Sequence, residues 1–328
     1  MTASAMIDGI LAGARPFAIP MRDRFRGTDV REGLLLDGPA GWVEFAPFTD
    51  YDDAACVPWL RAAVDSALHN WPDAVRSMVE VNTTVPVVAP ERAAELVAAS
   101  GCRTAKVKVA EPGVGIGDDT ARVAAVRAAL GENGKIRVDA NGGWSVDEAV
   151  TAIGVLADAA GGLEYVEQPC RSVDELIAVR ARVDVPIAAD ESIRLATDPL
   201  EVARRGAADI AVIKVAPLAG VRKALDIAAE CGLPVVVSSA VDTSVGLAAG
   251  LALAGALPSL PYACGLGTAS LLTGDVCAHP LVAAGGRLPV LPYPPAPDPA
   301  LLARFSMPAE RERWWRERLA RVAVLAFA

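Results

Sequence analysis

Histidine is scarce in this chain, and closely paired cysteines are missing. Two of the 328 residues are histidines, His69 and His279, and we expect both to be ordinary surface or hydrogen-bonded side chains. The six cysteines lie far apart and form no CxxC pair. This spacing argues against a disulfide framework or a zinc site. It favours buried, reduced thiols, which suit a cytoplasmic protein.

Excess positive charge is missing as well. The formal net charge is −9, so neither nucleic acid nor an anionic membrane is an expected partner. The first residues lack a basic segment followed by an apolar one, and we expect no signal peptide. Residues 243–274 carry no charge, but Pro258 and Pro261 interrupt this run. We therefore predict a buried helix of a large domain here, not a membrane span.

The chain does contain a large apolar fraction and a regular alternation of elements. With 53% hydrophobic residues, it can bury the core of one large α/β domain and a smaller one. Strand-like runs begin at residues 78, 105, 135, 163, 187, 209, 234 and 262, and helical stretches separate most of them. This alternation predicts a (β/α) barrel. An open doubly wound sheet fits less well, because Gly113–Gly117 is misplaced for a phosphate-binding turn.

The expected domain organisation has three segments. Residues 1–76 predict a small α+β unit, residues 77–285 the barrel, and residues 286–328 a C-terminal segment that returns to the small unit. Near the start, Arg22, Arg24 and Arg26 surround Phe25 in a predicted hairpin. This arginine cluster is either a solvated face or a loop that closes over an acidic substrate, and the sequence leaves both readings open.

Charged side chains stand at the ends of consecutive predicted strands: Lys106 and Lys108, then Asp139, Glu167, Asp190 and Lys214. Active sites of (β/α) barrels lie at these strand ends. Three converging carboxylates would repel one another without a cation, and an all-oxygen set without histidine or cysteine favours Mg²⁺. Such an ion could hold a substrate carboxylate and stabilise the charge that develops when the adjacent proton is removed. A lysine can act as the base if its pKa falls well below about 10.4.

The ordered motifs resemble those of the enolase superfamily, in the branch that includes muconate cycloisomerases and dipeptide epimerases. They are KxK at 106–108, VDAN at 138–141, VEQP at 166–169, ADES at 189–192 and IKV at 213–215. The resemblance implies a TIM-like (β/α) barrel with a small α+β capping domain, a bound Mg²⁺ and a small carboxylate substrate. The mandelate racemase branch, by contrast, has a histidine at the seventh strand, where this chain has Val237–Ala240.

The resemblance also implies roles for individual residues. The implied Mg²⁺ ligands are Asp139, Glu167 and Asp190. Lys108 matches the catalytic acid/base, and Lys214 matches the lysine of the opposite face, which is either a proton acceptor or a cation that stabilises the enediolate. Lys106 would support Lys108, while Glu191 and Asn141 would support the ligands.

The N-terminal stretches 24–27, 30–33 and 41–48 resemble the cap of the o-succinylbenzoate synthase family in its short, actinobacterial form. That family dehydrates 2-succinyl-6-hydroxy-2,4-cyclohexadiene-1-carboxylate to 2-succinylbenzoate, a step toward menaquinone. A racemase of N-succinylamino acids or a dipeptide epimerase is the alternative within the branch, and a non-catalytic binding barrel is the alternative outside it. The sequence leaves open whether the protein is a monomer or a homo-oligomer.

The substrate pocket is expected at the ends of the last two strands. The candidates are small or apolar residues with backbone N–H groups that could meet a carboxylate: Ser238, Ser239, Gly265, Leu266 and Gly267. Arg137 shares the face of Asp139 but lies deeper in the predicted barrel. We expect it to form a structural ion pair.

Overall fold

A computed structural model describes residues 3–327. The chain begins with helix α1 (Ala3–Ala12) and an antiparallel meander of β1 (Arg15–Phe25), β2 (Thr28–Gly38) and β3 (Gly41–Phe45). Arg26 and Gly27 close the first hairpin with φ angles of +51° and +73°, a turn geometry that matches the twist of paired strands. Helix α2 (Asp53–Leu68) follows, and the Asp52 carboxylate caps its first turn. This confirms the predicted α+β opening.

The remaining strands are β4 (Met78–Glu80), β5 (Thr83–Val85), β6 (Thr104–Lys108), β7 (Lys135–Asp139), β8 (Tyr165–Glu167), β9 (Ile187–Ala189), β10 (Ile210–Ile213), β11 (Val235–Val237) and β12 (Arg287–Pro289). Strands β5 to β11 form one parallel sheet in chain order. Their side chains are almost all buried, as expected for strands covered on both faces.

The helices that follow are α3 (Pro90–Ser100), α4 (Ile116–Leu130), α5 (Val146–Ala160), α6 (Val173–Arg180), α7 (Glu191–Arg194), α8 (Glu201–Arg204), α9 (Val221–Cys231), α10 (Ser244–Ala256), α11 (Pro299–Arg304) and α12 (Ala309–Phe327). Two of them begin with capping boxes that the sequence encodes, Ser145 with Glu148 and Ser172 with Glu175. These caps fix the residues at which α5 and α6 begin, in the segments that follow β7 and β8.

An irregular segment closes the sheet into a barrel. Gly265 bridges to Ser238 beside β11, and Cys264 bridges to Val81 beside β5, both in parallel. The eighth predicted strand is therefore present as isolated bridges, and the predicted TIM-like barrel is confirmed. The first predicted run, residues 78–85, was wrong as a single strand. Its first half, β4, leaves the barrel and pairs antiparallel with β12.

The charge-free run from Thr243 contains α10, a 13-residue helix whose side chains are mostly buried. Among residues 3–327, no helix is long and apolar enough to cross a membrane. The prediction of a helix buried in a large domain is confirmed.

The C-terminal helix packs on the N-terminal unit. Trp315 of α12 is fully buried, meets the ring of Phe45 edge-on at 6.3 Å and donates from Nε1 to Glu32 at 3.2 Å. Arg318 is 1% exposed and donates to the carbonyl oxygen of Phe48. The last helix therefore completes the core under the β1–β3 sheet.

We expect Trp315→Ala to lower the free energy of unfolding by about 3–5 kcal/mol, because it removes a fully buried indole and leaves a cavity. Leu325→Ala on the same helix is the control. Leu325 is 54% exposed, so its loss should cost no more than about 0.5 kcal/mol. Urea unfolding followed by circular dichroism measures both. Equal losses for the two variants would contradict a core role for Trp315.

Candidate active site

The strand register brings the predicted charged residues level with one another. Lys108 pairs with Asp139 across β6 and β7, and Asp139 pairs with Glu167 across β7 and β8. Asp190 follows β9 directly, and Lys214 follows β10. All are 8% exposed or less. The predicted strand-end set therefore converges at one buried end of the barrel.

Lys106 lies between two of the carboxylates. Its Nζ is 2.9 and 3.0 Å from the two oxygens of Glu167 and 3.2 Å from Asp139 Oδ2. Burial opposes the charge of Lys106, but Glu167 and Asp139 outweigh it and raise its pKa above the ordinary range. Burial, and next the charge of Asp139, raises the pKa of Glu167 to about 7, against the opposing charge of Lys106. Lys106 is thus held as a permanent cation beneath the site.

The other two lysines each hold a different acid. Lys108 Nζ is 2.5 Å from Asp139 Oδ2 and 2.6 Å from Asn141 Oδ1, and it lies 5.3 Å from the centre of the Phe25 ring. Lys214 Nζ donates to Asp190 Oδ2 at 2.6 Å. Burial lowers the pKa of Lys214, and Asp190 opposes this shift. The pair therefore approaches the cavity from strands β6 and β10, on different sides of the barrel.

An arginine that the sequence analysis missed completes the network. Arg194 of α7 donates from Nε to Asp190 Oδ1 at 3.0 Å and from Nη2 to Glu191 Oε1 at 2.6 Å. Its Nη1 donates to the hydroxyl of Tyr51, which belongs to the N-terminal unit. Glu191 Oε1 also accepts from Asn141 Nδ2 at 3.0 Å. The sequence signal for Arg194 was its spacing, four positions after Asp190 and three after Glu191, because a helix places residues at these separations on one side.

Gln168 is a second residue that was missed. It has a φ of +42° and is fully buried. Its Oε1 accepts from the backbone N–H groups of Asp190 and Ser192 at 3.0 and 3.2 Å, and its Nε2 donates to Ser192 Oγ at 2.7 Å. The side chain fixes the backbone that carries Asp190. No helical or strand periodicity marks such a contact across strands.

The carboxylates fit Mg²⁺ by donor type, since they are oxygen ligands from three neighbouring strands in a buried setting. The buried Glu191 Oε2 has no hydrogen-bond partner in the described part of the chain, so a further acceptor lone pair remains there. Yet within residues 3–327 no three His, Cys, Asp or Glu side chains stand together as metal ligands. Lysine and arginine contact Asp139, Glu167 and Asp190 instead. Coordination by all three would replace part of these ion pairs.

A small cavity opens above the lysines. Lys106, Lys108 and Lys214 line it, together with Ser238, Ser239 and Gly265 from the expected pocket. Residues not assigned to the pocket from sequence complete its lining. Phe25, Arg26 and Phe48 of the N-terminal unit form what we call its roof, and Thr84, Ala240, Val241 and Thr268 line it from elsewhere in the chain.

Two expected pocket residues, Leu266 and Gly267, do not line this cavity. Leu266 is fully buried and faces α10, where a Cβ on Gly250 would lie 2.8 Å from its Cδ2. A Cβ on Gly267 would lie 2.5 Å from the carbonyl oxygen of Asn82, so the backbones approach too closely for a side chain. The cavity wall includes Gly265 but neither Leu266 nor Gly267.

The arginines of the hairpin differ in their surroundings, and whether the loop closes over a substrate stays a prediction. Arg26 lines the cavity and lies 4.6 Å above the Phe48 ring. Arg24 is solvated, in a surface ion pair with Asp29. The turn residue therefore belongs to the site, and the strand residue before it does not.

Several expectations outside the cavity are confirmed. Arg137 is fully buried and forms an ion pair with Glu164 at 2.6 Å. His69 is exposed and contacts Asp65 at the end of α2, and His279 is exposed. All six cysteines are free.

Comparisons with known proteins agree with this architecture. Residues 88–297 match the family model "Enolase C-terminal domain-like" and residues 17–67 match "Enolase N-terminal domain-like". The chain is 61% identical to o-succinylbenzoate synthase of Thermobifida fusca over 276 residues, 84% of this chain and 86% of that protein. It is 55% identical to o-succinylbenzoate synthase of Mycolicibacterium smegmatis over 314 residues, 95% and 96% of the two chains.

Among solved structures, the L-Ala-D/L-Glu epimerase of Bacillus subtilis in a substrate-liganded complex superposes with a TM-score of 0.74. It is 26% identical, and the match covers 87% of this chain and 96% of the epimerase. The chain belongs to the enolase superfamily. Within that superfamily it belongs to the o-succinylbenzoate synthase family, which the identity and coverage of its relatives establish.

We expect Arg194→Met to weaken Mg²⁺ binding by about 10- to 100-fold, because Arg194 orients both Asp190 and Glu191. Titration calorimetry with Mg²⁺ measures this directly. Arg182→Met is the control, since Arg182 forms an exposed ion pair with Asp147 away from the site. Unchanged Mg²⁺ affinity in Arg194→Met would show that Arg194 does not orient the carboxylates.

Proposed function

We propose that the chain has o-succinylbenzoate synthase activity: a hydro-lyase that converts 2-succinyl-6-hydroxy-2,4-cyclohexadiene-1-carboxylate to 2-succinylbenzoate, in menaquinone biosynthesis. The observation that carries the proposal is one cavity lined by Lys108 and Lys214, above buried carboxylates at the tips of β7, β8 and β9. Membership of the o-succinylbenzoate synthase family supports the choice of substrate.

Lys108 is the proposed acid/base. As the free amine it takes the proton α to the ring carboxylate, and as the ammonium ion it protonates the departing hydroxyl group, so that water leaves from the same face. One C–H bond and one C–O bond break, and the ring becomes aromatic. Asn141 and Asp139 hold the Lys108 amine in place from the barrel side.

Asp139, Glu167 and Asp190 are the proposed ligands of a Mg²⁺ ion. When bound, Mg²⁺ supplies positive charge beside the substrate carboxylate, where negative charge develops on proton removal. Lys106 compensates the carboxylates from below, and its contact with both Glu167 and Asp139 suits that role. Asn141 donates to Glu191, and these two side chains also contact Lys108 and Arg194, respectively.

Lys214 approaches from the opposite side of the cavity. In the dehydration we assign it the part of a cation that stabilises the delocalised anion, because syn elimination needs a single acid/base. Ser238, Ser239 and Gly265 are proposed substrate contacts, and Arg26 in the roof is a cation available to the second substrate carboxylate.

We also propose that residues 1–76 and 286–328 form the cap on a barrel of residues 77–285. The contacts of α12 with Glu32 and Phe48 support this division. A cytoplasmic location is consistent with six free thiols.

Racemisation of N-succinylamino acids, or dipeptide epimerisation, is the second candidate. Two lysines on different sides of one cavity are also what proton transfer on opposite faces requires, and the epimerase from Bacillus subtilis has the same fold. In that reaction Lys214 would exchange protons with the substrate instead of acting as a fixed charge. A non-catalytic binding barrel is the remaining reading, and a failure to bind Mg²⁺ would favour it.

Two assays on the purified protein with Mg²⁺ separate these functions. The first follows loss of the cyclohexadiene absorbance, and the second follows α-proton exchange of N-succinylamino acids in deuterated water. Fast dehydration with slow exchange is expected. Exchange at an equal or higher rate would assign the site to racemisation as well, or instead.

Lys108→Ala is expected to lower kcat for dehydration by at least about 10⁴-fold, because the variant lacks both the base and the acid. Mg²⁺ binding should remain, since Lys108 is not a proposed ligand. Lys223→Ala, at an exposed position on α9, is the control and should retain full activity. More than a few per cent residual activity in Lys108→Ala would contradict the assignment.

A further inference from the structure

The loop after β11 contains a buried residue in an unfavourable backbone conformation. Val241 has a φ of +63° and is 3% exposed. A β-branched side chain rarely occupies the left-handed region, and such a conformation persists where surrounding contacts impose it. Since Val241 lines the active-site cavity, the contacts that impose its conformation also shape the site.

Those contacts come largely from the N-terminal unit. Arg31 of β2 donates from Nε to the carbonyl oxygen of Val241 at 3.0 Å. Glu44 of β3 accepts, through Oε2, from the backbone N–H of Thr243 at 2.9 Å and from its hydroxyl at 2.5 Å. Within the loop, Asp242 accepts from the N–H of Ala240 at 3.2 Å. Two side chains, Arg31 and Glu44, thus hold the loop from outside the barrel.

Arg31 is itself rigidly placed. It is 3% exposed, donates to the carbonyl oxygens of Glu32 and Ala46, and lies 5.0 Å above the Phe48 ring. Arg26 lies on the same ring at 4.6 Å. The guanidinium that holds Val241 is therefore connected through one aromatic ring to the roof of the cavity.

A glycine lies opposite Glu44. A Cβ on Gly246, in the first turn of α10, would lie 2.9 Å from Glu44 Oε2. Burial raises the pKa of Glu44 to about 8, with Asp242 adding to the shift and Arg31 opposing it. Arg31 therefore compensates two buried acids as well as binding the loop.

A second, small cavity lies beside the loop. Residues 238–240 and Lys214 line both this cavity and the active-site cavity. Glu44, Asp242 and three tryptophans line this second cavity. A wall between two cavities keeps its position only if it is held, and Arg31 and Glu44 are placed to hold it.

We propose that Arg31 is a positioning residue for substrate binding: it maintains the strained turn at Val241, so that Ser238–Val241 keeps the shape of the cavity wall. The identity of the substrate rests on the proposed function. The conformation of the loop does not, and the two can be tested apart.

The first test compares Arg31→Gln with the wild-type enzyme by hydrogen exchange and mass spectrometry, without substrate. Backbone amides in residues 238–245 should exchange at least about tenfold faster, while β6 to β9 should be unchanged. Arg31→Lys keeps the charge beside Glu44 and Asp242, so its exchange rates in residues 238–245 should lie between those of the wild type and Arg31→Gln. Uniformly faster exchange over the whole chain, or no change in residues 238–245, would overturn the proposal.

The second test uses steady-state kinetics. Arg31→Gln should raise KM for the cyclohexadiene substrate by about tenfold and lower kcat by less than about threefold, because the lysines and carboxylates are untouched. A loss of kcat at constant KM would overturn the proposal. If the wild-type enzyme fails to dehydrate this substrate, the proposed function falls, and the exchange experiment still decides the role of Arg31.

A double-mutant comparison isolates the backbone strain. Glycine adopts φ near +63° without strain and alanine does not, while both remove the valine side chain. The effect of Arg31→Gln on exchange in residues 238–245 should therefore shrink to less than about threefold in a Val241→Gly background and persist in a Val241→Ala background. Equal effects in the two backgrounds would overturn the proposal.

Discussion

The structure depends on the mutual compensation of charges at the carboxyl ends of the barrel strands. Four carboxylates and four cations meet there, almost entirely buried: Asp139, Glu167, Asp190, Glu191, Lys106, Lys108, Lys214 and Arg194. A buried charge without a partner is strongly destabilising, so each member constrains the others. With every member ionised, the formal charges of the cluster cancel. A bound divalent cation would add positive charge beside the carboxylates.

This compensation explains why a separate N-terminal unit is part of the site. Ion pairs in a low-dielectric setting are far stronger than in water, and Phe25, Phe48 and Tyr51 from that unit cover the cluster. Tyr51 also accepts a hydrogen bond from Arg194, which in turn holds Asp190. The position of the N-terminal unit is therefore coupled, through two hydrogen bonds, to a proposed metal ligand.

The features that could be predicted from the sequence are those that repeat along the chain. The barrel and the six strand-end charges followed from alternation and from the position of Asp139, Glu167 and Asp190 at strand ends. Sequence reasoning missed contacts that join distant segments: Arg194 with Tyr51, Gln168 with Ser192, and Arg31 with Val241. It also did not show the close packing of Leu266 against α10 and of Gly267 against Asn82, which becomes visible only when those segments are in place. Sequence reasoning did not predict the split of residues 78–85, since pairing with β12 depends on residues more than 200 positions away.

The strand-end residues and the walls of the cavity contribute differently to the site, and this difference bears on how one fold can serve several reactions. On the proposed function, lysines on different sides of a cavity suit both dehydration and racemisation, so the strand-end residues would set the type of chemistry, proton removal beside a carboxylate, without selecting the substrate. Selection would then fall to two surfaces of the cavity: the turn at Arg26, and the wall from Ser238 to Val241. The wall is held by Arg31 and Glu44 from the N-terminal unit. Changes in that unit can therefore reshape the cavity without disturbing the charge cluster, whose members must stay matched to remain buried.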